Sequence, residues 1–131
     1  MKRVIIGLIA CIVLTGCQTV FCPNEISAIT FAEFEAKLKK GDSFTLIIGR
    51  DDCPNCVALE EFIKTGSIEM YEPLFLKYTN EEKEIFLDQI SQYFDDLNMI
   101  PYYAIIQDGN IIKTGQGYSD KDDFMEFVKS S

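Results

Sequence analysis

The sequence predicts an α/β fold in which helices flank a central mixed four-stranded sheet. Short apolar runs alternate along the chain with segments whose apolar residues recur at the helical period. The strand–helix–strand–helix order of the first half implies parallel strands joined by crossover helices. Asp108-Gly109 is a hairpin turn signal, and the antiparallel pair that it closes makes the sheet mixed. The 131 residues, 47% of them apolar, suit one globular domain.

The first helix and the first strand are predicted between residues 30 and 49. Thr30 and Glu33 match the capping-box pattern, apolar residues follow at helical spacing, and Gly41 ends the run. Residues 44–49 then form an apolar run with little polar alternation. Such a run is typical of a strand that is buried on both faces in the middle of a sheet.

A second helix and a second strand are predicted next. Pro54 suits the first turn of a helix with one broad apolar face, and Gly66 marks its end. Residues 73–79 have the composition of a strand. Asn80 can cap a third helix. The apolar residues of that helix recur at the helical period, and they are Phe86, Ile90, Tyr93, Phe94 and Leu97.

The last third of the chain predicts a hairpin and a final helix. Residues 102–107 form a strand directly after Ile100-Pro101, and residues 111–114 form its partner. Ser119 to Asp122 repeat the capping pattern at the start of the helix. The apolar stripe of this helix comprises Phe124, Phe127 and Val128.

Residues 1–16 are predicted to be a signal peptide. Lys2 and Arg3 are followed by an apolar run that is shorter than the roughly 20 residues of a membrane span. The run ends in Leu-Thr-Gly-Cys, which resembles the lipobox of bacterial lipoproteins, and this resemblance implies that Cys17 is lipidated. An overlapping match ends at Cys11 but leaves a shorter apolar run. An uncleaved signal anchor and a plain secretory signal are the alternatives.

Residues 17–29 are predicted to form a tether and residues 30–131 the folded domain. Cys22 lies in the tether, either as an inert thiol or as a regulatory or intermolecular one. If Cys17 carries no lipid, a Cys17–Cys22 bridge becomes possible. The tether therefore leaves the state of one thiol open.

The charge of the chain excludes two classes of partner. Removing residues 1–16 takes away two basic residues and no acid, which leaves 10 basic and 21 acidic side chains and a formal net charge of −11. This charge argues against nucleic acid and against basic contacts with anionic lipid. Membrane attachment would then depend on the lipid at Cys17. The expected location is the extracytoplasmic face of the bacterial cell membrane, where disulfides persist.

Cys53 and Cys56 are the candidate catalytic residues. Two residues between the thiols allow a small disulfide ring, and at the start of a helix the first sulfur faces unpaired amides and the positive end of the dipole. This pattern predicts thiol–disulfide exchange without a cofactor. A zinc site is one alternative, but in a chain without His it needs Cys22 or a dimer. A structural disulfide in a binding module is the other.

The order of elements resembles the thioredoxin fold over about residues 30–131. The motifs that carry the resemblance are Cys53-Pro-Asn-Cys56, Ile100-Pro101 before a strand, Asp108-Gly109-Asn110 and Gly117. More narrowly, Ile48-Gly-Arg-Asp-Asp-Cys-Pro-Asn-Cys56 resembles the thioredoxin-like bacteriocin transport accessory proteins of Gram-positive bacteria.

The resemblance implies a role for each matched residue. Cys53 would be the attacking thiol, Cys56 the buried resolving thiol, and Pro101 a cis proline facing the disulfide. The backbone of Ile100 would pair with an extended substrate segment, and Phe, Ile and Tyr side chains near Ile100 and Tyr102 would supply a shallow apolar groove for the substrate. Without the resemblance, Pro101 would be expected to be trans at the first residue of a strand.

The chain departs from thioredoxins beside the cysteines. Thioredoxins have Trp directly before the first cysteine and a buried Asp six residues upstream of it, where this chain has Asp52 and Ile47. Asp51, Asp52, Glu60 or water would therefore have to take the proton of the resolving thiol. A solvated acidic loop is the simpler interpretation of the two neighbouring acids.

The charges around the pair leave the direction of electron flow open. Asp51 and Asp52 oppose formation of a thiolate, whereas Arg50 and the helix terminus favour it. The sequence predicts a membrane-tethered thiol–disulfide oxidoreductase for exported peptides or proteins, with a separate redox partner and a monomeric chain. The alternative is a non-catalytic accessory module that binds a transporter or an exported bacteriocin-type peptide.

Overall fold

The computed structural model describes residues 26–66 and 68–130. In chain order they form β1 (Ser27–Ile29), α1 (Phe31–Lys40), β2 (Phe44–Gly49), α2 (Pro54–Thr65), β3 (Pro73–Lys77), α3 (Lys83–Ile90), β4 (Tyr102–Gln107), β5 (Asn110–Gln116) and α4 (Lys121–Lys129). The predicted signal peptide, Cys17 and Cys22 lie outside the described residues. Within these two ranges, no helix has the length and apolar character needed to cross a membrane.

The strands form one mixed sheet in the order β1-β3-β2-β4-β5. β3 is parallel to β1 and β2, whereas β4 is antiparallel to β2 and β5. The predicted α/β class, with a mixed sheet flanked by helices, is therefore confirmed.

The described sheet has five strands, one more than the four predicted. The additional strand, β1, lies in the stretch predicted to be a tether, and Ser27 pairs with Leu74 and Ile29 with Leu76 of β3. A strand of three residues is too short to show the alternation that identifies a strand in a sequence. It forms because the outer edge of β3 presents unpaired N–H and C=O groups.

The two faces of the sheet bury two apolar clusters. Phe44, Leu46 and Ile48 of β2 contribute to the cluster beneath α1 and α3. Ile47 contributes to the cluster beneath α2 and α4. All residues of β2 are buried, as the apolar run predicts for a central strand.

The pairing of β2 with β4 brings two distant segments together. Because these strands are antiparallel and Ile48 pairs with Tyr102, the end of β2 lies beside the beginning of β4. Cys53 comes shortly after the end of β2, and Pro101 comes directly before the beginning of β4. The sheet therefore places the predicted catalytic segment opposite the predicted proline.

Helix α1 begins and ends as predicted. The Thr30 amide donates to Glu33 Oε1 at 2.8 Å, and the Glu33 amide donates to Thr30 Oγ1 at 3.1 Å, which completes the capping box. At the other end Gly41 has a φ of 79°, and its amide donates to the Leu38 carbonyl at 3.1 Å.

The predicted cap of α3 is wrong. The side chain of Asn80 does not cap the helix but bonds to Arg50 and Asp52. Thr79 instead makes the reciprocal contact with Glu82, whose amide donates to Thr79 Oγ1 at 3.3 Å and whose carboxylate accepts from the Thr79 amide at 3.0 Å. Partners distant in sequence thus compete for the residue that local rules assign to the cap.

Helix α3 is also shorter than its apolar period predicts. The amides of Tyr93 and Phe94 both donate to the Ile90 carbonyl, and the Ser91 hydroxyl donates to the Asp88 carbonyl at 2.9 Å. The chain turns here, yet Phe94 is buried. A tight turn therefore delivers to the core the side chains that suggested a longer helix.

The C-terminal elements have the predicted type and different limits. Asp108 and Gly109 have φ values of 53° and 78° in the hairpin turn, and β5 continues beyond the predicted limit at residue 114. Asp120, rather than Ser119, caps α4, because its carboxylate accepts from the Asp122 amide at 2.9 Å.

Candidate active site

Cys53 and Cys56 form a disulfide at the beginning of α2, with their Cα atoms 5.2 Å apart. Cys53 is the N-cap residue, and Pro54 follows in the first turn, where its missing N–H leaves no helix bond unmade. The Cys56 amide donates to Cys53 Sγ at 3.2 Å. Cys53 Sγ thus lies at the positive end of the helix, where a thiolate is stabilised when the disulfide is reduced.

The two sulfurs differ in their surroundings. Cys53 is 8% exposed, whereas Cys56 is fully buried. Cys56 packs against Gly49, where an added Cβ would lie 2.8 Å from Cys56 Sγ and 3.1 Å from the Phe75 ring. Sequence reasoning did not assign Gly49 to the site, although a glycine at the end of a strand can mark such a close approach.

Ile100 and Pro101 lie beside the disulfide. The peptide bond between them is cis, and the Ile100 carbonyl oxygen lies 3.9 Å from Cys53 Sγ. The Gly117 amide donates to the Pro101 carbonyl at 2.8 Å, which ties the loop after β5 to the same place. The structure therefore brings together both cysteines, Ile100 and Pro101.

Tyr102 is fully buried, so its own side chain does not contribute to the apolar groove predicted near it. Its hydroxyl donates to the Asp96 carboxylate. Burial, with this hydrogen bond as the second cause, raises the pKa of Tyr102 to about 12. The surface beside the disulfide is formed instead by the loop before Pro101 and by the loop after β5.

Gln116 holds the loop that leads to Pro101, and nothing in the sequence pointed to it. Its Oε1 accepts from the amides of Asn98 and Met99 at 2.9 and 3.0 Å. Its Nε2 donates to the Asp96 carbonyl at 3.0 Å. One side chain on β5 therefore satisfies three backbone groups of this loop.

The charged residues before Cys53 are paired with one another or with neighbouring strands. Arg50 Nε lies 3.0 Å from Asp52 Oδ1, and the Asn80 side chain bonds to both. Asp51 Oδ1 lies 2.7 Å from Lys77 Nζ. Each acid of this loop thus has a basic partner, which reduces the negative charge that opposes a thiolate.

Glu60 lies on the other side of Lys77, with Oε1 at 3.4 Å from Nζ. The pKa of Lys77 is raised chiefly by its hydrogen bond to Asp51 and further by the charge of Glu60, against burial, which lowers it. Lys77 is in register with Gly49, against which Cys56 packs. The Lys77–Glu60 ion pair therefore lies near the buried Cys56 sulfur. At position 47, where thioredoxins have a buried Asp, this chain has Ile.

Metal ligands are not clustered in the part of the chain that the structure describes. Within residues 26–66 and 68–130, no three His, Cys, Asp or Glu side chains are grouped so as to hold a metal ion. The predicted lipidation site Cys17 lies outside these ranges and is not placed relative to the disulfide.

The sheet order, the Cys-X-X-Cys disulfide at the start of α2 and the cis proline before β4 together define a thioredoxin-like fold. Solved thioredoxins match it. A mutant thioredoxin from Halobacterium salinarum NRC-1 has a TM-score of 0.60 and 18% identity over 84% of this chain and 93% of that chain.

Two further solved structures agree. Oxidised thioredoxin O1 from Arabidopsis thaliana has a TM-score of 0.58 and 14% identity, covering 80% of this chain and 96% of that chain. Thioredoxin f2, in its complex with ferredoxin:thioredoxin reductase, has a TM-score of 0.57 and 12% identity, covering 84% and 97%. No protein-family profile and no curated protein matches the sequence. At these identities the likeness shows the fold.

Proposed function

We propose that this chain is a thiol–disulfide oxidoreductase that acts on exported peptides or proteins through Cys53 and Cys56. The observation that carries the proposal is the disulfide at the start of α2, with the Ile100 carbonyl oxygen 3.9 Å from Cys53 Sγ. A substrate strand that pairs with the backbone at Ile100 would bring its sulfur to Cys53.

The same site can run in both directions. In substrate oxidation, a substrate thiolate attacks Cys53 Sγ, the disulfide breaks, and Cys56 leaves as a thiolate that takes up a proton. A second substrate thiolate then attacks the substrate sulfur of the mixed disulfide and Cys53 leaves as a thiolate, so that the substrate loses two electrons and the cysteine pair gains them. In substrate reduction, the Cys53 thiolate attacks a substrate disulfide and Cys56 resolves the mixed disulfide.

The assignment of Cys53 as the attacked and attacking sulfur is supported by three features. It retains exposed surface whereas Cys56 has none. It occupies the N-cap of α2, and it accepts the Cys56 amide at 3.2 Å. A helix N-terminus and an amide donor both lower the pKa of a thiol in the reduced state.

The wider context is part of the same proposal. The signal-like residues 1–16 support export, and a lipid on Cys17 would hold the domain at the extracytoplasmic membrane surface. The resemblance of residues 48–56 to bacteriocin transport accessory proteins favours exported bacteriocin-type peptides as substrates. A redox partner must restore the pair after each turnover, and thioredoxin f2 is an example of this fold in complex with a reductase.

The Cys56→Ser variant tests the proposed chemistry. It keeps the sulfur of Cys53, whose thiolate attacks a substrate offered in its disulfide form and expels one substrate thiolate, but it has no Cys56 thiol to resolve the mixed disulfide. Trapped adducts should therefore appear on a non-reducing gel and vanish with reductant. Cys53→Ser should trap several-fold less. All variants carry Cys22→Ser, so that the adducts report on the pair, and the Cys53→Ser/Cys56→Ser double variant gives the background.

The alternative is a non-catalytic accessory module, which the low exposure of Cys53 favours. Equal trapping by both single variants, or no adduct with either, would overturn the redox proposal and leave this module. If the redox proposal holds, the reduction potential of the Cys53–Cys56 pair decides whether the substrate is oxidised or reduced. A value near the oxidising end of the fold's range of roughly −270 to −120 mV indicates disulfide formation.

A further inference from the structure

A groove of about 340 Å³ opens beside the disulfide. Asn55, which lies between the two cysteines, lines it together with Met99 of the loop before Pro101. Tyr118, Asp120 and Asp123, from the end of the hairpin and the start of α4, line it as well. Its volume lies in the roughly 300–1,000 Å³ range of ligand sites. We call this surface the acidic groove.

The charge of the acidic groove comes from Asp120 and Asp123, because none of the described Lys or Arg residues lines it. Among the described residues, neither carboxylate has an ion pair. The charge of these carboxylates also affects two tyrosines. The pKa of Tyr103 is raised first by burial and then by the charge of Asp123, and the pKa of Tyr118 first by burial and then by the charge of Asp120. Two carboxylates of this surface therefore lack an ion-pair partner in the part of the chain that the structure describes.

A second cavity near the disulfide differs in charge. It is lined by Asp51 and Asp52 together with Arg50 and Lys77. Its acids are paired with these bases at 2.7 and 3.0 Å. Asp120 accepts the Asp122 amide at the start of α4, but among the described residues neither carboxylate of the acidic groove has a basic side chain as partner. A cationic side chain would therefore form an ion pair there without displacing an existing one.

The acidic groove also offers apolar surface. Met99 is 54% exposed, and the Tyr118 ring stacks on Phe62 with centroids 6.2 Å apart. Lys and Arg side chains combine an apolar stem with a cationic head, and that head is attracted to the face of an aromatic ring. Carboxylates, an aromatic ring and a thioether together match these two side chains.

We propose that the substrate is a cysteine-containing peptide with Lys or Arg within a few residues of the reactive cysteine, and that this basic side chain lies in the acidic groove. The inference rests on the proposed oxidoreductase function and names its substrate class. Asn55 lies between Cys53 and Cys56 in the chain and lines the groove, so one side of the groove is within two residues of each cysteine. A residue close to the reacting cysteine of the substrate can therefore reach it.

Two synthetic dithiol peptides that differ only in having Lys or Glu beside each cysteine test the proposal. The rate at which each peptide reduces the disulfide of the full-length chain is divided by the rate at which the same peptide reduces the small uncharged disulfide 2-hydroxyethyl disulfide, because a neighbouring charge alone changes the reactivity of a thiol. We expect a Lys-over-Glu ratio of about fivefold or more at low salt. The ratio should fall towards one at high salt and in the Asp120→Asn/Asp123→Asn double variant, in which the new asparagine side chain can still cap α4.

Asp122→Asn is the matched control for Asp123→Asn, because it removes a charge from the same turn of α4 and does not line the groove. It should keep the wild-type ratio, while Asp123→Asn lowers it about two- to threefold. Equal rates for both peptides in the wild type overturn the proposal. So does a fall in the ratio that is as large in Asp122→Asn as in Asp123→Asn.

A failure of the oxidoreductase function gives a different result. In that case neither peptide reduces the disulfide, although dithiothreitol does. Binding of the same peptides with Ser in place of Cys, followed by fluorescence anisotropy, still tests the groove. Tighter binding of the Lys peptide, lost in Asp123→Asn, supports the acidic groove as its site, and equal binding of the two peptides overturns it.

Discussion

Gly49 provides the space that Cys56 Sγ occupies at the end of β2. An alanine Cβ there would lie 2.8 Å from the sulfur, and backbone atoms of a central strand cannot shift freely to relieve the contact. We expect Gly49→Ala to lower the free energy of unfolding by about 1–3 kcal/mol. Urea unfolding with the disulfide reduced measures this cost without a contribution from the crosslink.

The same substitution in a Cys56→Ala background is the control. Removal of the sulfur relieves the shortest contact, so Gly49→Ala should then cost less than it does beside Cys56. An equal cost in both backgrounds would show that Gly49 is needed for a reason other than the sulfur.

Gln116 is the residue that orders the loop before Pro101. Its three hydrogen bonds reach backbone groups of Asp96, Asn98 and Met99. Gln116→Ala leaves these groups to water, so we expect faster hydrogen exchange at the amides of Asn98 and Met99 and a loss of about 1–2 kcal/mol in the free energy of unfolding.

Gln107→Ala is the matched control for this prediction. Gln107 ends β4 on the same hairpin, and its side chain is exposed. It should leave exchange at Asn98 and Met99 unchanged. If Gln116→Ala does not speed exchange at these two amides, the loop is held by other contacts.

At the scale of elements, segments with a strong local signal are predictable from the sequence. The capping box of α1, the apolar run of β2, the Asp-Gly turn and the cysteine pair at the start of α2 all depend on residues a few positions apart. The capping box, the turn and the cysteine pair satisfy their hydrogen bonds largely within a short stretch. The apolar run of β2 needs a sheet, but it would be buried as a central strand whichever strands lie beside it.

Elements defined by distant partners are not predictable in the same way. β1 is a strand because it pairs with β3, and Asn80 is lost from its predicted cap because Arg50 and Asp52 bind it. The same distinction holds at the site. Cys53 and Cys56 are evident from spacing, whereas Gln116 acts on a loop 17 to 20 residues away.

At the scale of the whole molecule, the antiparallel pairing of β2 with β4 assembles the site. It places the helix start that carries the disulfide beside the loop that carries the cis proline, and β5 then adds Gln116 and the acidic groove. The two cavities beside the disulfide differ in charge balance. If a basic side chain of the substrate occupies the acidic groove, as proposed above, a substrate with uneven charge takes one preferred orientation on this surface.

Attachment at Cys17 would set how far this surface can reach from a membrane. Cys17 lies ten residues before Ser27, the first residue of the described sheet, and ten extended residues span at most about 35 Å.

We expect Cys17→Ser to lose incorporated fatty acid and to leave the membrane fraction, because acyl chains and no basic patch would hold the acidic domain there. Cys22→Ser should keep both the fatty acid and the membrane location. Metabolic labelling and fractionation measure this. A Cys17→Ser chain that stays in the membrane fraction would instead indicate anchoring through an uncleaved signal. The folded domain would then still be held close to the membrane surface.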